Sequence, residues 1–143
     1  MSVDISLEGH LTLDSSVLVE MLDGSDVGSR VSARLEEGRL SGHTSYVNMA
    51  ESGYVLCRRI GHERASAAVK ALLNSSVLIL EETPDLHIAV SRIKCERAIS
   101  LGDCYTLAVS EITETRPIFV AREKDLGLEM DRKPFTFEPI FLI

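Results

Sequence analysis

Residues 10–22, HLTLDSSVLVEML, decide how the chain is read. The stretch opens as His10-Leu11-Thr12-Leu13, short and apolar in alternation, which is the pattern of a strand. It runs directly into Asp14–Leu22, which has helical character. A strand that ends on an aspartate and turns at once into a helix makes one βα unit, and the rest of the chain can be laid out from it.

Downstream, Val27, Val31 and Leu35 form one apolar stripe before Gly38, predicting a helix over 27–37 and then a short strand over 40–43. From Ser45 to Ile60 the apolar residues fall almost all round, which predicts a buried helix. After Gly61, Ala65, Ala68, Val69, Leu72 and Leu73 repeat at helical spacing until Asn74-Ser75 stops them. Val77–Leu80 is a fully apolar strand. Thr83 and Pro84 stand as N-cap and first helical residue of a helix running to about Ile99, with Leu86, Ala89, Val90 and Ile93 inward. Ser100–Asp103 starts another helix that carries Leu107, Ala108 and Ile112 inward. Ile118–Ala121 is a buried strand, and 137–143, with Pro139, reads as an edge strand. Strands separated by helices predict a three-layer α/β/α fold around a mostly parallel sheet, with the chemistry outside the carboxyl ends of the strands.

The 143 residues fall within the span of one domain, so 1–143 is expected to be a single unit. Composition is that of an ordinary globular protein, 45% hydrophobic and 26% charged. No apolar run approaches the ~18 residues of a membrane span, and the start, MSVDISLEGH, lacks the pattern of a secretory signal, so a cytoplasmic location is expected. The net charge of −7 argues against a broad basic surface for nucleic acid; an anionic substrate must be held locally. Cys57, Cys95 and Cys104 lack zinc-binding spacing and read as small buried hydrophobes. The four histidines, His10, His43, His62 and His87, include no i, i+4 pair and write no metal cage.

Carboxylates remain. Asp14 follows one strand and Glu123 follows another, so both emerge at one sheet edge if those strands are parallel neighbours. Taken singly, Asp14 is equally a helix N-cap and Glu123 a solvated loop acid; Ser100 with Asp103 fits a capping box. Glu51 is different, because Val47, Tyr54 and Val55 surround it on the helix and no Lys or Arg sits three or four residues away. A buried carboxylate without a cation costs several kcal/mol, which a metal ion would relieve. Oxygen ligands without histidine or thiolate favour Mg²⁺ or Mn²⁺ over zinc, and such ions commonly contact phosphates.

At this point the chain resembles a known family, the PIN domains, and among them the VapC-like toxin nucleases. LTLDSSVLVEML looks like the family's first strand with its aspartate, here Asp14; TSYVNMAESGYVL looks like the helix of the second acid, here Glu51. SLGDCYTLAVS is similar to the helix opening of the third, Asp103, and FVAREKDLG resembles the segment of the fourth, Glu123. The resemblance spans roughly Leu11 to Leu126. The family more often carries Asp at the fourth position, so either Glu123 or Asp125 fills it here.

The resemblance implies an endoribonuclease in which Asp14, Glu51, Asp103 and Glu123 bind Mg²⁺ or Mn²⁺ and a metal-activated water cuts RNA. Nearby Arg58, Arg59, Arg92, Lys94, Arg122 or Lys124 would assist with the RNA backbone. It further implies a homodimer and a small antitoxin partner that places an Arg or Lys in the acidic pocket. A second reading is a catalytically inactive PIN-like module that binds RNA or protein, its acids serving as caps. The strand-end Asp14 also fits haloacid-dehalogenase-type phosphatases, but these need an acid two residues on, where Ser16 stands.

Overall fold

The computed structural model describes residues 7–143; residues 1–6, which make up much of the N-terminal stretch read against the secretory-signal pattern, lie outside the described residues. In chain order come β1 (Gly9–Leu13), α1 (Ser15–Asp23), α2 (Asp26–Glu36), β2 (Leu40–Ser45), α3 (Tyr46–Ile60), α4 (His62–Asn74), β3 (Leu78–Glu81), α5 (Pro84–Glu96), α6 (Leu101–Thr113), β4 (Arg116–Phe119), α7 (Lys124–Arg132) and β5 (Ile140–Phe141). Among the described residues no helix is long and apolar enough to cross a membrane.

The five strands form one sheet in the order β3-β2-β1-β4-β5, and every neighbouring pair is parallel. Alternation along the strands feeds two cores. Leu11, Leu13 and Ile118 join Val17, Leu18, Val31, Leu35 and Met49 on one face. Phe119 joins Leu86, Val90, Ile93, Leu107, Val109 and Leu126 on the other. Each parallel step needs a crossover, and these crossovers supply the helices of the outer layers, giving the α/β/α sandwich.

Local chemistry fixes where the helices begin. Asp14, Ser25, Ser45, Thr83 and Ser100 each sit in extended backbone and accept a backbone N–H from the first turn. Each such cap contributes about 1 kcal/mol. Strand order reverses at β1, since β2 lies on one side of it and β4 on the other, and this reversal opens a crevice beyond the carboxyl ends of β1 and β4.

Several expectations need correction. The helix α3 is not buried all round: Tyr46 and Tyr54 are exposed, because only the face carrying Asn48, Met49, Ser52 and Leu56 packs inward. Of the cysteines, Cys104 is buried and Cys57 half-buried, but Cys95 lies exposed on α5. Ile112 is exposed rather than inward. The helix expected to reach Ile99 stops at Glu96, because Arg97 turns extended and its guanidinium donates to the carbonyls of Glu129, Lys133 and Pro134. The terminal strand shrinks to two residues, Ile140–Phe141. The helix α7 is an addition that the apolar pattern does not announce.

Candidate active site

Asp14 is the first residue past β1 and the N-cap of α1, so both of its readings are realised at once. Its Oδ2 accepts the Ser16 amide at 3.0 Å and the Ser16 hydroxyl at 2.7 Å. Its Oδ1 accepts the Thr106 hydroxyl at 2.6 Å. Thr106 in turn accepts from Asn48 Nδ2 at 3.0 Å, and Asn48 also reaches Ser15 Oγ at 2.9 Å and the Gly102 carbonyl at 3.2 Å. Ser16 Oγ accepts the Val120 amide at 3.2 Å, tying the end of β4 to the start of α1. The first acid is therefore fixed by side chains from α1, α3 and α6.

Asp14 is buried, and burial raises its proton affinity; the hydrogen bonds from Thr106 and Ser16 oppose that rise, while the nearby charge of Glu51 adds to it. Asp103, in the first turn of α6, is pushed up to about 7 by burial first and then by the charge of Asp14, with Glu123 and Glu51 adding and the bond to Ser100 opposing. Asp14 feels the charge of Glu51, and Asp103 feels Asp14, Glu123 and Glu51, so the site gathers negative charge.

A cavity of about 350 Å³ joins them. Asp14, Glu51, Asp103 and Glu123 all line it, together with Ser15, Ser16, Val19, Glu20, Val55, Arg59, Ser100, Val120 and Ala121. The structure thus brings together all four acids singled out from the sequence, at the carboxyl ends of β1 and β4. Glu51 is half-buried, and its carboxylate lies against the α-carbon of Gly102. Glu123 occupies the N-cap position of α7 without bonding the helix, so its carboxylate is left to the cavity. Asp125, the other candidate for the fourth position, is exposed in the first turn of α7 and does not line the cavity.

Among the described residues no three histidine, cysteine, aspartate or glutamate side chains stand gathered as a finished metal cage; the acids line the walls and leave open space between them. The described lining holds carboxylates and hydroxyls but neither imidazole nor thiol, the donor chemistry of a hard dication such as Mg²⁺ or Mn²⁺. An ordinary cation from the protein does not neutralise Asp14, whose partners are hydroxyls and an amide.

Asn48, Thr106, Ser16 and Glu20 belong to the site without any motif in the sequence that marks them. The available signal is spacing: Asn48 precedes Glu51 by three and Thr106 follows Asp103 by three, each on the same helix face as its acid. The basic candidates separate clearly. Arg92 pairs with Glu96 and Glu111, Lys94 caps the Ile99 carbonyl, and Arg122 holds Asp131 and the Gly127 carbonyl. Arg58 lies over the Tyr54 ring, and both line a separate apolar groove between α3 and α4. Lys124 is exposed outside the cavity. Arg59 alone of these six lines the acidic cavity.

A sequence model of the PIN domain matches residues 11–126. No curated protein sequence matches significantly. Among solved structures, the chain is similar to VapC20 of Mycobacterium tuberculosis, described as a sarcin-ricin-loop-cleaving toxin, with 24% identity and a TM-score of 0.62 over 82% of this chain and 93% of that one. It is also similar to VapBC2 from Rickettsia felis bound to a promoter DNA fragment, with 12% identity and a TM-score of 0.65 over 92% and 97%. DNA-bound VapBC from Salmonella typhimurium aligns with 13% identity and a TM-score of 0.65 over 94% and 98%. At these identities the structural likenesses establish the fold.

Proposed function

Because the chain belongs to the PIN-domain family, we propose that it is a single-domain, metal-dependent endoribonuclease and the toxin of a cytoplasmic toxin–antitoxin pair. The observation that carries this reading is the cavity lined by Asp14, Glu51, Asp103 and Glu123 at the strand-order reversal, with neither histidine nor cysteine among the described residues of its lining. Concentrated carboxylates would repel RNA, so the arrangement makes chemical sense only with a cation between them.

Asp14, Glu51 and Asp103 are the residues proposed to hold Mg²⁺ or Mn²⁺, with Glu123 completing the set from the β4–α7 side. Bound there, the ion supplies an activated water and neutralises charge on the scissile phosphate. The chain's own contribution is placement. Thr106 and Ser16 hold the Asp14 carboxylate by both oxygens and favour its ionised form, and Asn48 locks Thr106 in turn. Asp103, whose proton affinity is high without a cation, gives up its proton when positive charge enters the cavity. No side chain of the described lining is a cysteine or histidine nucleophile, so the reaction proposed is direct hydrolysis of a phosphodiester.

Two further parts of the reading follow. The protein is proposed to act as a homodimer, with paired acidic pockets accommodating one folded RNA; light scattering that returned a monomer mass at micromolar concentration would remove this part. The antitoxin is proposed to inhibit by placing an Arg or Lys among the same carboxylates, so that raising Mg²⁺ weakens inhibition.

The test of the main reading is cleavage of a mixed transfer and ribosomal RNA pool with Mg²⁺, with EDTA, and by Asp14→Asn. We expect cutting in Mg²⁺ alone, and an Asp14→Asn protein that melts at or above the wild-type temperature without cutting. Wild-type rates from Asp14→Asn would refute the assignment.

A further inference from the structure

Among the described residues, Arg59 is the only basic side chain in the lining of the carboxylate cavity, and it does not pair with the acids that line it. Its Nη1 donates instead to Asp23 Oδ2 at 2.5 Å, outside the site. Resting on the nuclease reading above, we infer that Arg59 is the residue that grips the RNA backbone, taking a phosphate next to the scissile one, and that Asp23 positions it for that contact.

The geometry sets the division of labour. Glu51 and Arg59 share α3, eight residues apart, which is about 12 Å along the axis. With its Nη1 tied to Asp23, outside the cavity lining, the guanidinium addresses the strand beside the acids, not the phosphate placed among them. Asp23 is the last residue of α1, where the helix end already carries partial negative charge, a poor place for an acid unless a cation stands by it. The pair is partly open to solvent, with side chains 47% and 36% exposed, so it adds little to stability. What it does supply is orientation: one Nη is committed to Asp23, which keeps the guanidinium from swinging down among Asp14, Glu51 and Asp103 and cancelling the charge meant for the metal. The remaining N–H groups of the planar fork are left to bind a phosphate by two bonds. The bland account, a helix-end arginine in a surface ion pair, explains the contact with Asp23 but not why this arginine alone lines the cavity.

The experiment measures binding of a short fluorescein-labelled RNA hairpin by anisotropy in Mg²⁺, using the Asp14→Asn background so that the RNA stays intact. Affinity is followed from about 50 to 200 mM salt. Adding Arg59→Ala should weaken binding about tenfold, and should reduce the slope of log affinity against log salt by about 0.7, the loss of one single-strand phosphate contact. Arg59→Lys should keep the slope while recovering only part of the affinity. Asp23→Asn, which frees the guanidinium to fall among the cavity acids, should weaken binding and lower the slope part of the way toward Arg59→Ala; an Asp23→Asn variant that binds like its parent would remove the positioning role. All variants should melt within about 2 °C of their parent; Arg59→Gln serves as a second neutral variant, expected to match Arg59→Ala. If the parent binds RNA and both neutral variants keep its slope and affinity, Arg59 is a surface ion pair and the inference falls. If the Asp14→Asn parent binds no RNA but the wild type cuts in Mg²⁺, the contact is read as KM in the otherwise wild-type chain, where Arg59→Ala should raise KM about tenfold and an unchanged KM would overturn the inference. If the wild type cuts none in Mg²⁺, the nuclease reading falls and takes this inference with it.

Discussion

The Glu51 carboxylate packs against Gly102 so closely that a β-carbon at 102 would lie 2.3 Å from Glu51 Oε1. The glycine is in the first turn of α6, and its bare α-carbon is what lets an acid on α3 stand beside Asp103 on α6. Gly102→Ala should therefore fold normally. The atom in the way is the far end of a flexible side chain, and alanine is favoured over glycine within a helix by up to about 1 kcal/mol. The displaced Glu51 should cost about 10- to 100-fold in RNA cleavage, as moving a metal ligand or its support does. An alanine variant that cuts at the wild-type rate would show that Glu51 need not sit there.

Thr106 tests the support of the first acid. Its hydroxyl donates to Asp14 and accepts from Asn48, so Thr106→Val removes a bond to a charged group while leaving the Asn48 amide two acceptors, Ser15 Oγ and the Gly102 carbonyl. The fold should lose about 2 kcal/mol. With one opposing bond gone, burial raises the proton affinity of Asp14 further, so the acid limb of the pH–rate profile should move to higher pH. Cleavage at neutral pH should fall about tenfold, and Thr106→Ser should restore it. A uniform loss at every pH would mean that Thr106 does not act through Asp14.

Close approach of backbone makes the opposite case at Gly28. A β-carbon there would sit 1.9 Å from the Glu20 carbonyl oxygen, and a backbone atom cannot rotate aside as a glutamate tip can. Against the gain of up to about 1 kcal/mol in helix propensity, α1 and α2 must be pushed apart, so Gly28→Ala should lose about 2 kcal/mol net. In a thermal melt that is a drop of roughly 8 °C. An unchanged melting temperature would show that the two helices part freely.

Which of these features are legible in the sequence depends on whether their cause is local. The change of period at Asp14 and the apolar neighbours of Glu51 are local, and they locate two acids on their elements. The fold class follows in the same way from strands alternating with helices. Contacts such as Asn48 to Thr106, 58 residues apart, belong to the packing of α3 on α6 and leave no local trace. The helix α7 escapes the pattern because its buried face carries Leu126 but also Gly127 and Glu129, which breaks the apolar stripe. Glu129 can be inward because Arg97 and Arg132 meet it. The end of α5 is hidden for a similar reason, since Arg97 is pulled away by carbonyls more than thirty residues downstream.

The cluster also sets how stability depends on pH. The ordinary value for the Asp103 carboxyl is 3.8, and in the folded chain it is pushed up to about 7, chiefly by burial and then by the charge of Asp14. The folded state therefore holds more protons than the unfolded state between these values, and stability must fall as pH rises through that window. Asp14 is raised as well and acts in the same direction. Glu129 is lowered from 4.5 by its bonds to Arg132, so its contribution is lost only as pH falls below that value, outside the range from 5.5 to 8. In EDTA the protein should melt higher at pH 5.5 than at pH 8, the difference being about 2 kcal/mol for Asp103 alone. Asp103→Asn should make the dependence shallower, since it removes one of the two raised carboxyls and leaves Asp14. Added Mg²⁺ should stabilise most at pH 8, where the carboxylates are ionised and the ion meets no competing proton. Thermal melts at both pH values, with EDTA and with Mg²⁺, decide the matter. A metal-free protein that grows more stable from pH 5.5 to 8, or an Asp103→Asn variant with the wild-type slope, would show that the acids in the cavity are not coupled as described.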